Sequence, residues 1–141
     1  MNTIEIIAFL SLILQIVTLS VVIFGYIMKR RMKFIVHGTM MLVAVVVQFF
    51  SFLFIMGPAF IIIFENGLSQ RPVLLSMATL IHAGLGGASL TAGIWIASSW
   101  HLQTSIEKCI KRKFIMRYLI VIWILALILG ITLYMLLYVF A

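Results

Sequence analysis

The chain has 141 residues, of which 65% are hydrophobic and 9% are charged, and its mean hydropathy is +1.31. A soluble domain of this length cannot bury so large an apolar fraction, so the composition excludes a water-soluble globular protein and predicts an integral membrane protein. The net charge is +7. Because nine of the ten basic residues gather at two connections and the tenth, Arg71, lies in the other loop, they indicate membrane topology rather than a nucleic-acid partner.

Four apolar runs follow one another along the chain, and each reaches the roughly 20 residues that cross the hydrocarbon core of a bilayer. They are Thr3–Met28, Phe34–Phe64, Pro72–Trp100 and Phe114–Phe140. Backbone groups in lipid must be paired within their own segment, so each run is predicted to be a helix. We expect an all-α fold in a single membrane domain over residues 1–141, an antiparallel bundle of four transmembrane helices.

The basic residues also set the expected orientation. One group follows the first run, and the other lies just before the fourth run and in its first turn. These residues are Lys29, Arg30, Arg31, Lys33, Lys108, Lys111, Arg112, Lys113 and Arg117. The positive-inside rule places both connections in the cytoplasm and both termini outside. We therefore expect a multi-pass protein of the plasma membrane with the lipid bilayer as its first partner.

Polar side chains recur at helical spacing on one face of three runs. They are Ser11, Gln15 and Thr18 in the first run, His37, Gln48 and Ser51 in the second, and His82 and Ser89 in the third. The fourth run is almost wholly aliphatic and aromatic, so it is expected to seal the bundle. Gln15 and Gln48 fall near mid-membrane, where they are predicted to form hydrogen bonds across a polar core.

The histidines are the strongest functional candidates, because an ionisable side chain at membrane depth is costly. His82 lies in the outer half of the third run, whereas His37 and His101 lie at the cytoplasmic edge and can approach each other. For His82, a hydrogen bond to a neighbouring helix and a role as ligand or proton relay both stay open. For His37, the alternatives are an ordinary headgroup-zone histidine and the same ligand role.

The small residues around His82 admit two interpretations. Small-xxx-small pairs allow helices to pack closely in lipid. These pairs are Gly84 with Ala88 and Gly87 with Thr91. Alternatively, His82 is an axial ligand of haem b, since neutral imidazole is a common haem ligand. The small face for the macrocycle would then be Gly86, Ser89 and Gly93. No histidine stands opposite His82. Met56 and Met77 are conceivable second ligands, and so is a vacant second site.

The sequence does not contain the residue sets that other kinds of catalytic or binding site require. Glu5, Glu65 and Glu107 are far apart, and the sequence shows no clustered metal ligands, no nucleophile–histidine–carboxylate set and no phosphate-binding glycine loop. We expect no enzymatic activity.

Several short motifs resemble a known family. They are Ile35-Val36-His37-Gly38, Leu80-Ile81-His82, Arg117-Tyr118 followed by Trp123, and Gly130 to Tyr134. Over roughly Tyr26 to Tyr138, this order resembles the small four-span membrane proteins grouped with YozB and CtaM. That resemblance implies a part in the maturation of haem-copper terminal oxidases. The chain departs from the family pattern at Ala59 and Arg112, where further histidines are expected, and at Gly38, where arginine is frequent.

The resulting prediction is an accessory or assembly protein of a respiratory, terminal-oxidase-type membrane complex, with His82 and His37 as candidate haem ligands or polar anchors. Its partners would be other membrane subunits, and an oligomer is an open alternative. Two other functions stay open: a small b-type cytochrome that carries electrons, and a purely structural small subunit of a larger complex.

Overall fold

The computed structural model describes residues 3–65, 67, 72–100 and 106–140, and no strand occurs among them. Four helices are long and apolar enough to cross a membrane. We call them the first to fourth spans: Thr3–Arg30, Phe34–Glu65, Val73–Trp100 and Lys113–Val139. The prediction of four apolar helices is confirmed, and the predicted ends are correct to within a few residues.

Two of the spans are not uniformly α-helical. The second span consists of an α-helix at Phe34–Ser51, a wider π-helical turn at Phe52–Met56 and an α-helix at Gly57–Glu65. The fourth consists of an α-helix at Lys113–Tyr134 and a π-helical turn at Met135–Val139. A short helix, Ile106–Lys111, precedes the fourth span.

The π-helical turn in the second span has a local cause in Pro58. Proline has no amide hydrogen, and its ring crowds the carbonyl four residues earlier, which here belongs to Phe54. The chain widens at this point, and the Gly57 amide donates to the Phe52 carbonyl five residues back. Gly57 suits the position because a Cβ there would stand 3.1 Å from the Phe52 oxygen.

Successive spans run antiparallel, as the contacts at their two ends show. Between the first and second spans, Gly25 lies beside Met41 while Gln15 lies beside Met56. Between the second and third, Gly38 meets Trp100 and Val45 meets Gly93. The third span contacts the fourth at His82 and Ala126, and Phe9 of the first span meets Tyr134 of the fourth with ring centroids 6.3 Å apart. The four helices therefore close into one bundle.

The interior of the bundle carries the predicted polar faces. Buried polar side chains come from the first three spans: Ser11, Gln15, Thr18, His37, Gln48, Ser51 and Ser89. The fourth span contributes the apolar residues Ala126, Leu127 and Leu133. Large aliphatic and aromatic side chains cover the outside instead, which is the arrangement expected when the surrounding solvent is lipid.

The turn between the first two spans brings cationic residues to one end of the molecule, called here the basic end. Met32 adopts a left-handed conformation with φ 61°. The amides of Met32 and Lys33 donate to the carbonyls of Lys29 and Met28, both at 3.0 Å. The start of the fourth span lies at the same end, so Lys113 and Arg117 approach Lys29 and Arg30 around one cavity.

Candidate functional site

His82 joins the third span to the fourth. Its Nδ1 lies 2.8 Å from the carbonyl oxygen of Ala126. Since a carbonyl can only accept, Nδ1 carries the proton and donates. One turn further along the fourth span, Gly130 makes room for the ring, because a Cβ there would stand 2.9 Å from His82 Cε1. The imidazole thus forms a hydrogen bond to a neighbouring helix, which was one of the two interpretations of His82.

The small residues proposed to receive a haem do not form one continuous open face. Gly93 packs on the second span, where a Cβ would stand 3.2 Å from Val45 Cγ2. Ser89 is buried, and its hydroxyl donates to the Gly86 carbonyl at 2.9 Å. Only Gly86 has open space where its side chain would be. This stripe does not fit a macrocycle lying along the inner face beside His82.

The conceivable second ligands are also placed by the structure. Met56 Sδ lies 3.8 Å from Gln15 Nε2, which donates to it across the first two spans. Met77 is 54% exposed. Gln15 and Gln48 are both buried, as a polar core requires. Gln15 makes its cross-bundle hydrogen bond to a thioether.

Three glycines of the third span face open space. Among the described residues, no atom other than those of the adjoining residues and the helix's own backbone lies within 4 Å of the position that a Cβ would take at Gly84, Gly86 or Gly87. Gly84, Ala88 and Thr91 are exposed, and the Thr91 hydroxyl donates to the Gly87 carbonyl at 2.8 Å. The two predicted small-xxx-small pairs therefore lie on a surface that the chain's own bundle leaves uncovered. Close packing through them would involve another molecule.

His37 has a different environment from His82. Its Nδ1 donates to the Gly25 carbonyl at 2.9 Å, which joins the second span to the first. The residue is only 6% exposed, and its Nε2 is buried without a hydrogen-bond partner among the described residues. An unpaired buried polar atom costs about 1–3 kcal/mol. Such an atom in a native protein calls for an explanation.

A cavity of about 320 Å³ adjoins His37 at the basic end and is lined by all four spans. The size falls within the range of small-molecule sites. Its walls are largely aromatic and aliphatic. They include Tyr26, Phe34, Leu42, Ile96, Trp100 and Trp123. Four cations also line it: Lys29, Arg30, Lys113 and Arg117. The cavity therefore combines apolar walls with four cationic side chains, and it adjoins the histidine whose Nε2 is buried without a partner among the described residues.

Gly38 and Arg112, two of the departures from the family pattern, have structural reasons. At Gly38, a Cβ would stand 1.7 Å from Trp100 Cη2, so the indole occupies the space that an arginine would need. The Arg112 guanidinium lies over the Trp95 ring, 5.1 Å from its centroid, and donates to Ser99 Oγ. Both contacts fasten the basic end of the third span.

Some predicted residues give less information. Ala59 is half-buried in the outer helix of the second span. His101, predicted to approach His37, lies outside the described residues. No group of three or more His, Cys, Asp or Glu side chains that could hold a metal ion occurs in the described part of the chain.

The packing contacts of two residues, Gly130 and Trp100, were not predicted from the sequence. Gly130 had a signal, since an isolated glycine within an otherwise aliphatic helix usually has a packing reason. Trp100 had none, because a tryptophan at the end of a span is expected as an interfacial anchor in any membrane protein. Its contact with Gly38 depends on the register between the second and third spans.

Comparison with protein-family models, curated proteins and solved structures finds no match. The resemblance to the YozB and CtaM group therefore depends on the short sequence motifs alone.

Proposed function

We propose that the protein is a non-enzymatic accessory or assembly subunit of a larger membrane complex, and that this complex is of the respiratory terminal-oxidase type. The observation that carries the proposal is the outward small face of the third span, formed by Gly84, Ala88 and Thr91. The assignment to an oxidase comes from the sequence resemblance alone.

The physical argument concerns how helices associate in lipid. Lipid tails are as apolar as leucine, so association depends on close van der Waals packing, which small residues permit. The chain's own bundle uses other glycines for this purpose, namely Gly25, Gly38, Gly93 and Gly130. The outward small face is an additional surface of the same type, and a helix of a partner subunit is the occupant we propose for it.

The orientation belongs to the same proposal. The clustered cations favour a cytoplasmic basic end in the plasma membrane. Single cysteines introduced at Lys33 and Gly67 in a Cys109→Ser background test this. An impermeant maleimide added to intact cells should label Gly67→Cys and should not label Lys33→Cys. The reverse labelling pattern would contradict the orientation.

Site-specific photo-crosslinking tests the partner surface. A photoreactive amino acid at Ala88 should form an adduct that mass spectrometry identifies as an oxidase subunit. Val17, which is 53% exposed on the first span, is the matched control, and it should not give that adduct. Gly84→Leu should abolish crosslinking from position 88 because the larger side chain fills the face. Adducts with lipid alone would contradict the proposal.

Visible spectroscopy separates the proposal from the cytochrome alternative. A b-type cytochrome shows a Soret band that shifts on reduction and disappears in His82→Ala or His37→Ala. The accessory role proposed here predicts a colourless purified protein that co-purifies with oxidase subunits. Deletion of the protein should then lower the amount of assembled oxidase, whereas a purely structural subunit would leave a complex that forms normally but dissociates more readily.

A further inference from the structure

We propose that the cavity at the basic end binds one anionic phospholipid whose headgroup carries a free hydroxyl. Its phosphate would lie beside the four cations of the rim, and its hydroxyl would donate to His37. This site is separate from the outward small face of the third span. Its failure would leave the proposed function standing, and the reverse also holds.

The charges at the basic end call for an anion. The chain has only three acidic residues. Glu5 and Glu65 lie at the opposite end, and Glu107 pairs with Lys111 at 3.2 Å. Within the part of the chain that the structure describes, no carboxylate forms an ion pair with the four cations that line the cavity. Basic pockets between transmembrane helices are recognised sites for anionic lipid headgroups.

The shape and lining of the cavity indicate an amphiphile. Cations stand at its rim, whereas its interior includes Val22, Leu42, Val45 and Ile96. A free inorganic anion would use the rim and leave this apolar interior unfilled. A phospholipid uses both, because its phosphate can lie at the rim while the first methylene groups of its acyl chains contact the apolar lining of this space of about 320 Å³ and continue into the bilayer.

The Nε2 atom of His37, which has no hydrogen-bond partner among the described residues, indicates that the headgroup carries a hydrogen-bond donor. Because Nδ1 donates to the Gly25 carbonyl, a neutral ring presents Nε2 as an acceptor that requires a donor. An ionised phosphate diester has no donor, and neither does a methyl ester. A glycerol headgroup has hydroxyl donors. The lipid chemistry that satisfies both the cations and His37 is therefore an anionic phosphate with a hydroxylated headgroup.

The charge requirement is tested with delipidated full-length protein in a neutral detergent, with lipid binding followed by native mass spectrometry. Phosphatidylglycerol should bind, and phosphatidylcholine with the same acyl chains should not. Lys113→Gln with Arg117→Gln should weaken phosphatidylglycerol binding about thirtyfold, given roughly 1 kcal/mol for each basic residue. The matched control is Arg31→Gln with Lys33→Gln, which removes the same charge from residues that do not line the cavity and should change binding less than threefold.

The role of His37 is tested with a second pair of lipids. Phosphatidylglycerol and phosphatidylmethanol carry the same charge, but only the former has headgroup hydroxyls. The native protein should prefer phosphatidylglycerol about fivefold, the typical effect of one neutral hydrogen bond. His37→Ala should remove that preference while keeping the effect of the Lys113 and Arg117 changes. Gln48→Ala, a change at a buried polar residue outside the cavity, should keep the preference.

Four results would overturn the proposal. Equal binding of phosphatidylglycerol and phosphatidylcholine would show that the cavity does not select an anionic lipid. An equal loss of phosphatidylglycerol binding in both charge variants would show only a nonspecific electrostatic attraction to the basic end. A haem that binds with a Soret band lost in His37→Ala, in protein that retains no lipid, would replace the phospholipid with an iron porphyrin. Equal binding of phosphatidylglycerol and phosphatidylmethanol would overturn the role given to His37.

Discussion

Two sets of glycines lie within the spans of this protein and have different surroundings in the structure. Gly25, Gly38, Gly93 and Gly130 each have an atom of another span within 3.2 Å of the position of a Cβ. Gly84, Gly86 and Gly87 have none within 4 Å. The first set is scattered over all four spans, whereas the second is concentrated around His82. The comparison teaches that a dense glycine cluster does not mark the tightest packing within a bundle.

The difference follows from what each glycine meets. The contacted glycines receive side chains from a neighbouring span: Met41, Trp100, Val45 and His82. Each makes room for side chains at one point of a neighbouring span, so a single glycine is sufficient. The open glycines instead leave a stretch of helix surface without large side chains, which allows the backbone of another helix to approach closely. Substitution of a contacted glycine should therefore lower the stability of the bundle. Substitution of an open glycine should instead weaken association with another molecule and leave that stability nearly unchanged.

Gly38→Ala should have the largest effect. The new methyl group would stand 1.7 Å from Trp100 Cη2, so the indole must leave its site. We expect a loss of about 3 kcal/mol in the free energy of unfolding, at the upper end for overpacking, measured by reversible unfolding in mixed micelles. The double variant with Trp100→Ala should recover the loss caused by the methyl group. A penalty that persists without the indole would show that the contact is not its cause.

Gly130→Ala should come next. Its methyl group would stand 2.9 Å from His82 Cε1, and the ring must move by a few tenths of an ångström, which strains the bond to Ala126. The expected loss is about 1–2 kcal/mol. In a His82→Ala background the same change should cost nothing. An equal cost in both backgrounds would contradict the assigned contact.

His82→Ala should have a smaller effect than Gly38→Ala. It removes one interhelix hydrogen bond, worth about 0.6 kcal/mol on average and at most about 1.7 kcal/mol in a membrane. Thr79→Ala, one turn before His82, is the matched control because that hydroxyl bonds only to the Leu75 carbonyl of its own helix. Equal losses in the two variants would argue against a cross-span role for His82.

Gly84→Ala should have the smallest effect on the bundle. Open space surrounds the new methyl group, so the free energy of unfolding should stay within about 0.5 kcal/mol or rise through better helix propensity. Gly84→Leu should leave the isolated protein equally stable while abolishing the crosslink from position 88. A marked loss of stability would show that this face packs within the chain.

Features that depend on segment length or helical period could be predicted from the sequence, whereas contacts between spans could not. The four spans were predictable because lipid imposes a minimum length and full backbone pairing on each segment. The inward side of Gln15, Gln48 and Ser89 was predictable because the helical period places them on one face. Their partners were not, since Gln15 bonds to Met56 within a π-helical turn whose extra residue shifts the register of the second span.

The sequence by itself therefore determined the number of spans, their approximate ends, the gathering of positive charge at one end and the polar faces, because each depends only on composition or period. Only the tertiary structure decided which carbonyl each histidine meets and which of the two has a second nitrogen buried without a partner among the described residues. His82 is held by Ala126 and Gly130, whereas His37 keeps an unpartnered Nε2 beside a cavity. Those outcomes depend on the register between helices that are distant in sequence, because a shift of one residue would place a different group beside each histidine.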